Sequence, residues 1–271
     1  MKKSIQYICI GLVLAFLYAP ILILVFYSFT NASMIGPTRG FSLKNYVTLF
    51  TTPELLSMIA GTLLLAFGVA VLSTILGTTG AIGAFYSKKH VRGTLEMANE
   101  IPVVNADVVT GFSMCILMIV IFKIGKDTYI PLVLGQTALC APFVYLSVMP
   151  RLKQMDGQLY EAALDLGCRP FQALIKVVIP QIIPGIISGF MMAITLSLDD
   201  YFVATYTKPA TFDTISTYVV NATKGSQTSI KTALWALSAI IFVIVAGVVF
   251  TMNYTSQNKE DKSSANSGGL E

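Results

Sequence analysis

This sequence predicts an all-α, polytopic membrane protein with six transmembrane helices, and three observations point there. Hydrophobic residues make up 55% of the chain and charged residues only 12%, against about 25% charged in an ordinary soluble domain. The apolar residues fall in blocks long enough to cross a bilayer, which takes about 20 residues of helix. The blocks are continuous rather than alternating. Helices, which pair their backbone groups within one segment, are therefore favoured over barrel strands.

In chain order the blocks are Ile5–Phe29, Leu55–Tyr86, Ile101–Phe122, Tyr129–Met149, Val177–Tyr206 and Ala233–Tyr254. The first is too long for a signal peptide's apolar region and lacks a small-residue cleavage site, so it reads as a membrane helix. The second carries Gly61, Gly68, Gly77, Gly80 and Gly83, with Gly77/Ala81 and Gly80/Ala84 at four-residue spacing. Such spacing permits close helix approach or sliding, and plain packing explains it equally well. The segment Thr207–Thr232 is polar enough to lie outside the membrane, with room for a short helix. Residues 1–255 read as one transmembrane domain, with no second folded domain. The charged, Ser-rich tail 256–271 is predicted to be disordered, and its Gly268-Gly269-Leu270-Glu271 ending reads as an expression remnant.

Orientation follows from basic residues near the helix ends. With the N-terminus inside, the inner side carries eleven Lys and Arg against seven outside, and the densest cluster is Lys88-Lys89-His90-Val91-Arg92, expected in a loop. Both termini, and the polar segment around Glu161, then face the cytoplasm. The net charge of +4 follows from this bias and gives no reason to expect a nucleic-acid partner. Cys9, Cys115 and Cys140 lie in apolar runs and Cys168 in a turn, so no spacing suggests a metal or a redox pair. His90 is the single histidine, which leaves no histidine-based metal or acid–base site. The chain also lacks a Gly-x-x-x-x-Gly-Lys-Ser/Thr phosphate loop. If nucleotide energy is used, another subunit hydrolyses it.

The connector between the fourth and fifth blocks is structured rather than slack. Asp156 is placed to cap a helix through Tyr160, Glu161, Ala162, Ala163 and Leu164, and Gly167 supplies a left-handed stop. Pro170 suits the first turn of a second helix with Phe171, Leu174, Ile175 and Val178 on one side. Pro180 is expected to end or kink that helix as it enters the membrane, and Pro184 repeats the signal. The first helix has a small-residue apolar face of Leu159, Ala162, Ala163 and Leu166, shaped to enter a groove on an aqueous partner. The same pattern also fits a connector lying on the membrane surface.

Glu161-Ala162-Ala163, Gly167 and Ile179-Pro180 resemble the EAA motif of permease subunits of ABC importers. In that family the motif is Glu-Ala-Ala, three residues, Gly, then an Ile-x-Leu-Pro ending; here Val177 and Ile179 stand for the Ile and Leu. The likeness covers most of the chain, including the weaker outer-loop run Phe41-Ser42-Leu43-Lys44-Asn45-Tyr46. It implies the type I importer permease (MetI-like) fold. It also implies that the segment at about 156–167 is a coupling helix. Glu161, Ala162, Ala163, Asp165 and Gly167 would then be its ATPase-docking residues.

Charges within a span usually face a water-filled path or a partner. Asp107 lies near the start of the third block, and Asp199-Asp200 lie within the fifth, followed by Tyr201, Phe202 and Tyr206. Adjacent helical positions differ by about 100°, so Asp199 and Asp200 cannot both face one lumen unless the helix breaks there. Carboxylates beside aromatic rings suit an organic cation. Equally, an aspartate here can cap a helix or pair with a neighbouring subunit's Lys or Arg.

Thr195-Leu196-Ser197-Leu198-Asp199-Asp200, Tyr160 to Gly167 and Asn105-Ala106-Asp107 are similar to segments of the C-type permeases of spermidine/putrescine importers. That likeness implies a bacterial inner-membrane assembly of this chain, a paired B-type permease, an ATPase dimer that holds ATP and Mg2+, and an extracytoplasmic polyamine-binding protein. Asp107, Ser197, Asp199, Asp200, Tyr201 and, more weakly, Tyr46 would line the cargo route. Two alternatives stay open: the same machine carrying ferric ion, thiamine or a phosphonate, and a transporter driven by an ion gradient. An anionic cargo is poorly matched to paired aspartates.

Overall fold

The computed structural model describes residues 2–30, 40–125, 127–224, 234–240, 242–243 and 247. The helices are α1 (Lys2–Ser28), α2 (Lys44–Thr51), α3 (Pro53–Phe85), α4 (Lys89–Val104), α5 (Asp107–Cys115), α6 (Ile130–Gln154), α7 (Gln158–Asp165), α8 (Pro170–Ala173), α9 (Ile179–Asp199), α10 (Phe202–Thr207) and α11 (Ile215–Lys224). Wider π turns extend two of them, Ile116–Ile121 after α5 and Leu174–Val178 between α8 and α9. Among the described residues, four helices are long and apolar enough to cross a membrane: Cys9–Ser28, Pro53–Phe85, Ile130–Gln154 and Pro170–Asp199. The pair Lys89–Val104 and Asp107–Ile121, bent by 102°, makes a fifth if it counts as one broken span. Of the sixth expected block, 234–240, 242–243 and 247 are helical, and the rest lies outside the described residues, as does the tail 256–271.

The third expected block is corrected in outline. Helix begins at Lys89, ahead of Ile101, so His90 sits in the first turn of a helix and not in a loop. The helix then stops at Asn105 and Ala106, whose backbones are extended (ψ 146° and 134°), and restarts at Asp107. Asn105 donates to the Thr110 hydroxyl at 3.2 Å across the bend, and Asp107 in the first turn of α5 complements its N-terminal dipole.

The chain forms two compact units, Met1–Leu56 with Asn221–Glu271, and Ser57–Val220. In the first, residues Cys9–Tyr27 are exposed or half-buried, which suits a helix facing lipid or another chain, and only Ser28 at its end is buried. Asn45 of α2 is buried and donates to the carbonyls of Ser28 and Thr30, both at 3.0 Å. Those carbonyls lie at the end of α1, where intrahelical partners run out. The α2 segment is thereby fastened to the α1 terminus.

In the second unit α6 is the central helix: 61% of its apolar window is buried, against 28% for Pro170–Asp199. Val144, Val148, Leu152, Val178, Ile182 and Ala193 form the heart of the core. Glycines set how closely its neighbours approach. A Cβ on Gly185 would stand 3.0 Å from the Ser147 carbonyl, and one on Gly189 3.0 Å from Val144 Cγ1. A Cβ on Gly77 would stand 2.7 Å from Val144 Cβ, so Gly77 of α3 acts in packing there. Without a hydrophobic drive in lipid, such backbone proximity is the main source of helix association. At the far end of α6, Lys153 and Arg92 both hold the Glu96 carboxylate at 3.2 Å, tying α4 to the terminus of α6.

Candidate functional site

The α6–α9 connector folds as its punctuation dictates. Asp156 Oδ1 accepts the Gln158 amide at 3.0 Å, supplying one of the donors' missing partners at the start of α7. At the other end Gly167 adopts φ +85°, where an L side chain is strained. Its amide reaches the Leu164 carbonyl at 2.9 Å and the Cys168 amide reaches Ala163 at 3.1 Å, the paired bonds of a Schellman stop. Pro170 opens α8, and the Gln172 side chain accepts the Arg169 amide at 3.3 Å.

The faces of this connector differ from expectation. Ala163 is buried against its own chain and so is unavailable to a groove, whereas Glu161, Ala162 and Asp165 are exposed and Leu166 is 87% exposed. The expected stripe of Phe171, Leu174, Ile175 and Val178 splits as well: Phe171 and Ile175 face outward while Ala173 and Val178 are buried. Pro180 does not end the helix, which runs from Pro170 to Asp199 through the π turn at Leu174–Val178. A π turn takes up an extra residue. That absorbs the missing proline donor and rotates the residues beyond it off a strict 3.6-residue stripe.

A second site forms where α9 stops. Asp200 leaves the helix with ψ 114°, and α10 begins two residues later. The Asp200 carboxylate turns inward. Its Oδ1 accepts the Val203 amide at 3.0 Å and its Oδ2 accepts the Ala204 amide at 2.9 Å, capping α10. Oδ2 also accepts Gln136 Nε2 of α6 at 2.9 Å, and the Ser197 hydroxyl donates to Gln136 Oε1 at 2.8 Å. Asp200, Ser197 and Gln136 are all buried. Asp199, one residue earlier, is exposed. The Ser216 hydroxyl donates to the Leu198 carbonyl at 2.8 Å, partnering a group that the end of α9 leaves free.

Two glycines seat α10. A Cβ on Gly111 of α5 would stand 2.9 Å from Val203 Cα, and one on Gly135 of α6 2.9 Å from Val203 Cγ1. Asp107, at the restart after the other helix break, is exposed. Tyr201 is half-buried, its ring 5.2 Å from that of Phe202. Two helix interruptions, at Asn105-Ala106 and at Asp200-Tyr201, thus each carry an aspartate at the start of the helix that follows.

The structure joins Ser197 and Asp200 in one network, while Asp199 and Asp107 are exposed outside it. Tyr46 belongs to the other unit, where its hydroxyl lies 2.9 Å from Ser28 Oγ and its ring 5.1 Å from Phe29. Gln136 escapes the sequence reading. Its signal is a carboxamide inside the apolar Tyr129–Met149 run, where an unpaired polar group is costly.

Comparison with known proteins agrees with this architecture. The putrescine transport system permease protein PotI of Escherichia coli (strain K12) is 34% identical over 197 residues, covering 70% of each chain. The spermidine/putrescine transport system permease protein PotC of Haemophilus influenzae is 30% identical over 252 residues, 91% of this chain and 94% of that one. A crystal structure of a bacterial ABC transporter involved in the import of the acidic polysaccharide alginate superposes with a TM-score of 0.73 at 18% identity, covering 94% of both chains. The family described as binding-protein-dependent transport system inner membrane component matches residues 77–259, and this chain belongs to it.

Proposed function

We propose that this chain is the membrane-spanning permease subunit of an ATP-driven importer of polyamines, working beside a paired permease and coupled through α7 to a separate ATPase dimer. The observation that carries the cargo assignment is the break between α9 and α10, which buries Asp200 and leaves the Asp199 carboxylate exposed one residue away. With exposed Asp107 at the other helix break and the half-buried Tyr201 next in sequence to Asp200, the chain offers negative charge and an aromatic ring to a cation. A polyamine sheds water from several ammonium groups as it enters the membrane. A few carboxylates offset that loss without holding the cargo too tightly to release. Relatives named for putrescine and spermidine/putrescine transport support the same cargo class.

On this reading α7 faces the cytoplasm and presents Glu161, Ala162, Asp165 and Leu166 to the ATPase, which holds ATP and Mg2+. Closure of the ATPase pair pushes α7, and the spans tilt to open the cargo route on the other side. An extracytoplasmic binding protein delivers the polyamine. The test is reconstitution of the complete assembly in vesicles with labelled putrescine and spermidine. Accumulation should require ATP and the ATPase subunit. Uptake driven by an ion gradient alone, or accumulation of anions in place of polyamines, overturns the proposal.

A further inference from the structure

We propose that Gln136 is a positioning residue of the transport site: from α6 it clamps Ser197 and Asp200 across the α9–α10 break, which keeps Asp200 as the cap of α10 and leaves Asp199 to the cationic cargo. This inference rests on the pathway reading of Asp199 given above.

The chemistry of the clamp is particular to a glutamine. Nε2 donates to Asp200 Oδ2 at 2.9 Å while Oε1 accepts from Ser197 at 2.8 Å, so one carboxamide serves a donor on α9 and an acceptor at the break that also caps α10. Glutamate lacks the donor, lysine lacks the acceptor, and asparagine is a methylene shorter. Gln136 is 0% exposed, so each of these bonds is made away from water. Without the amide, Asp200 retains the two backbone donors of Val203 and Ala204 and loses its side-chain partner.

The consequence concerns register. Consecutive helical positions differ by about 100°, so moving the end of α9 by one residue exchanges the aspartate that turns inward for the one that stays exposed. Gln136, anchored in the most buried helix, holds the break at Asp200.

The experiment measures uptake of labelled putrescine by the complete ATP-driven assembly in vesicles, normalised to assembled complex. Gln136→Met keeps the volume and removes both bonds. In the parent background it should raise the apparent KM about tenfold, the scale of one charge-assisted hydrogen bond, with the maximal rate per complex changed far less. In an Asp199→Asn background the same substitution should add little, because the group it positions is gone. Ser197→Ala, which breaks one arm and leaves the Asp200 bond, should give a smaller rise with the same dependence on Asp199 and covers the case in which Gln136→Met does not assemble. Equal rises in both backgrounds indicate a purely structural role and overturn the assignment, as does an unchanged KM. If Asp199→Asn by itself leaves KM unchanged, the pathway reading falls and the Gln136 role falls with it. If Asp199→Asn raises KM and Gln136→Met does not, only the Gln136 role falls.

Discussion

Tyr86, just past the end of α3, and Tyr160 of α7 hold their rings 4.9 Å apart, tilted by 44°. With Ala163 buried beside it, this pair fastens the exposed connector helix to its own membrane helices. Aromatic pairs of this kind contribute about 0.5–1.5 kcal/mol beyond their buried area, enough to keep a short helix seated.

We predict that Tyr160→Ala leaves the assembly intact but lowers polyamine moved per ATP hydrolysed by several-fold. The check is a paired measurement of uptake and phosphate release in the same vesicles. An unchanged ratio shows that the tyrosine contact carries no motion.

Glu161→Lys reverses charge on the exposed face of α7 without touching its core, since Glu161 is exposed and Ala163 is not. It should weaken association with the ATPase and abolish cargo-stimulated hydrolysis. Normal binding and normal stimulation of the purified variant would contradict a docking role for this face.

The two adjacent aspartates should behave differently. Asp199→Asn is expected to raise the KM for putrescine with little change in melting temperature. Asp200→Ala removes the cap of α10 and a buried network partner, and should cost about 2 kcal/mol of stability. Thermal unfolding of the detergent-purified complex separates them. Identical melting temperatures for both variants and the parent exclude the capping role of Asp200.

At the α6–α9 crossing, Gly189→Leu drives a side chain into a site where even a Cβ stands 3.0 Å from Val144 Cγ1. Overpacking of this order costs about 1–3 kcal/mol. The yield of folded complex and its melting temperature should both fall, and a variant as stable as the parent shows that the helices part readily there.

What is legible from the residues alone is whatever local chemistry decides. Asp156, Gly167 and Pro170 each act within a few positions, so the start of α7, its stop and the start of α8 follow directly from sequence. The breaks in the third and fifth spans are decided elsewhere. Asn105-Ala106 sits in an otherwise apolar stretch, and Asp200 turns inward to meet Gln136, 64 positions away in the chain. The split between exposed Phe171 and Ile175 and buried Val178 spans a π turn, which no 3.6-residue pattern anticipates. The alternative in which an aspartate caps a helix describes Asp200 well, while Asp199 is exposed.

The crossing at Gly185 and Gly189 has a mechanical corollary. Because α6 and α9 flank α7 and meet with no room for so much as a methyl group, the two arms behave as one stiff rod pair. On the proposed coupling, a push delivered at the hairpin tip would therefore pass along the pair rather than be taken up between the helices. Its destination on that coupling would be the interrupted end of α9, next to Asp199.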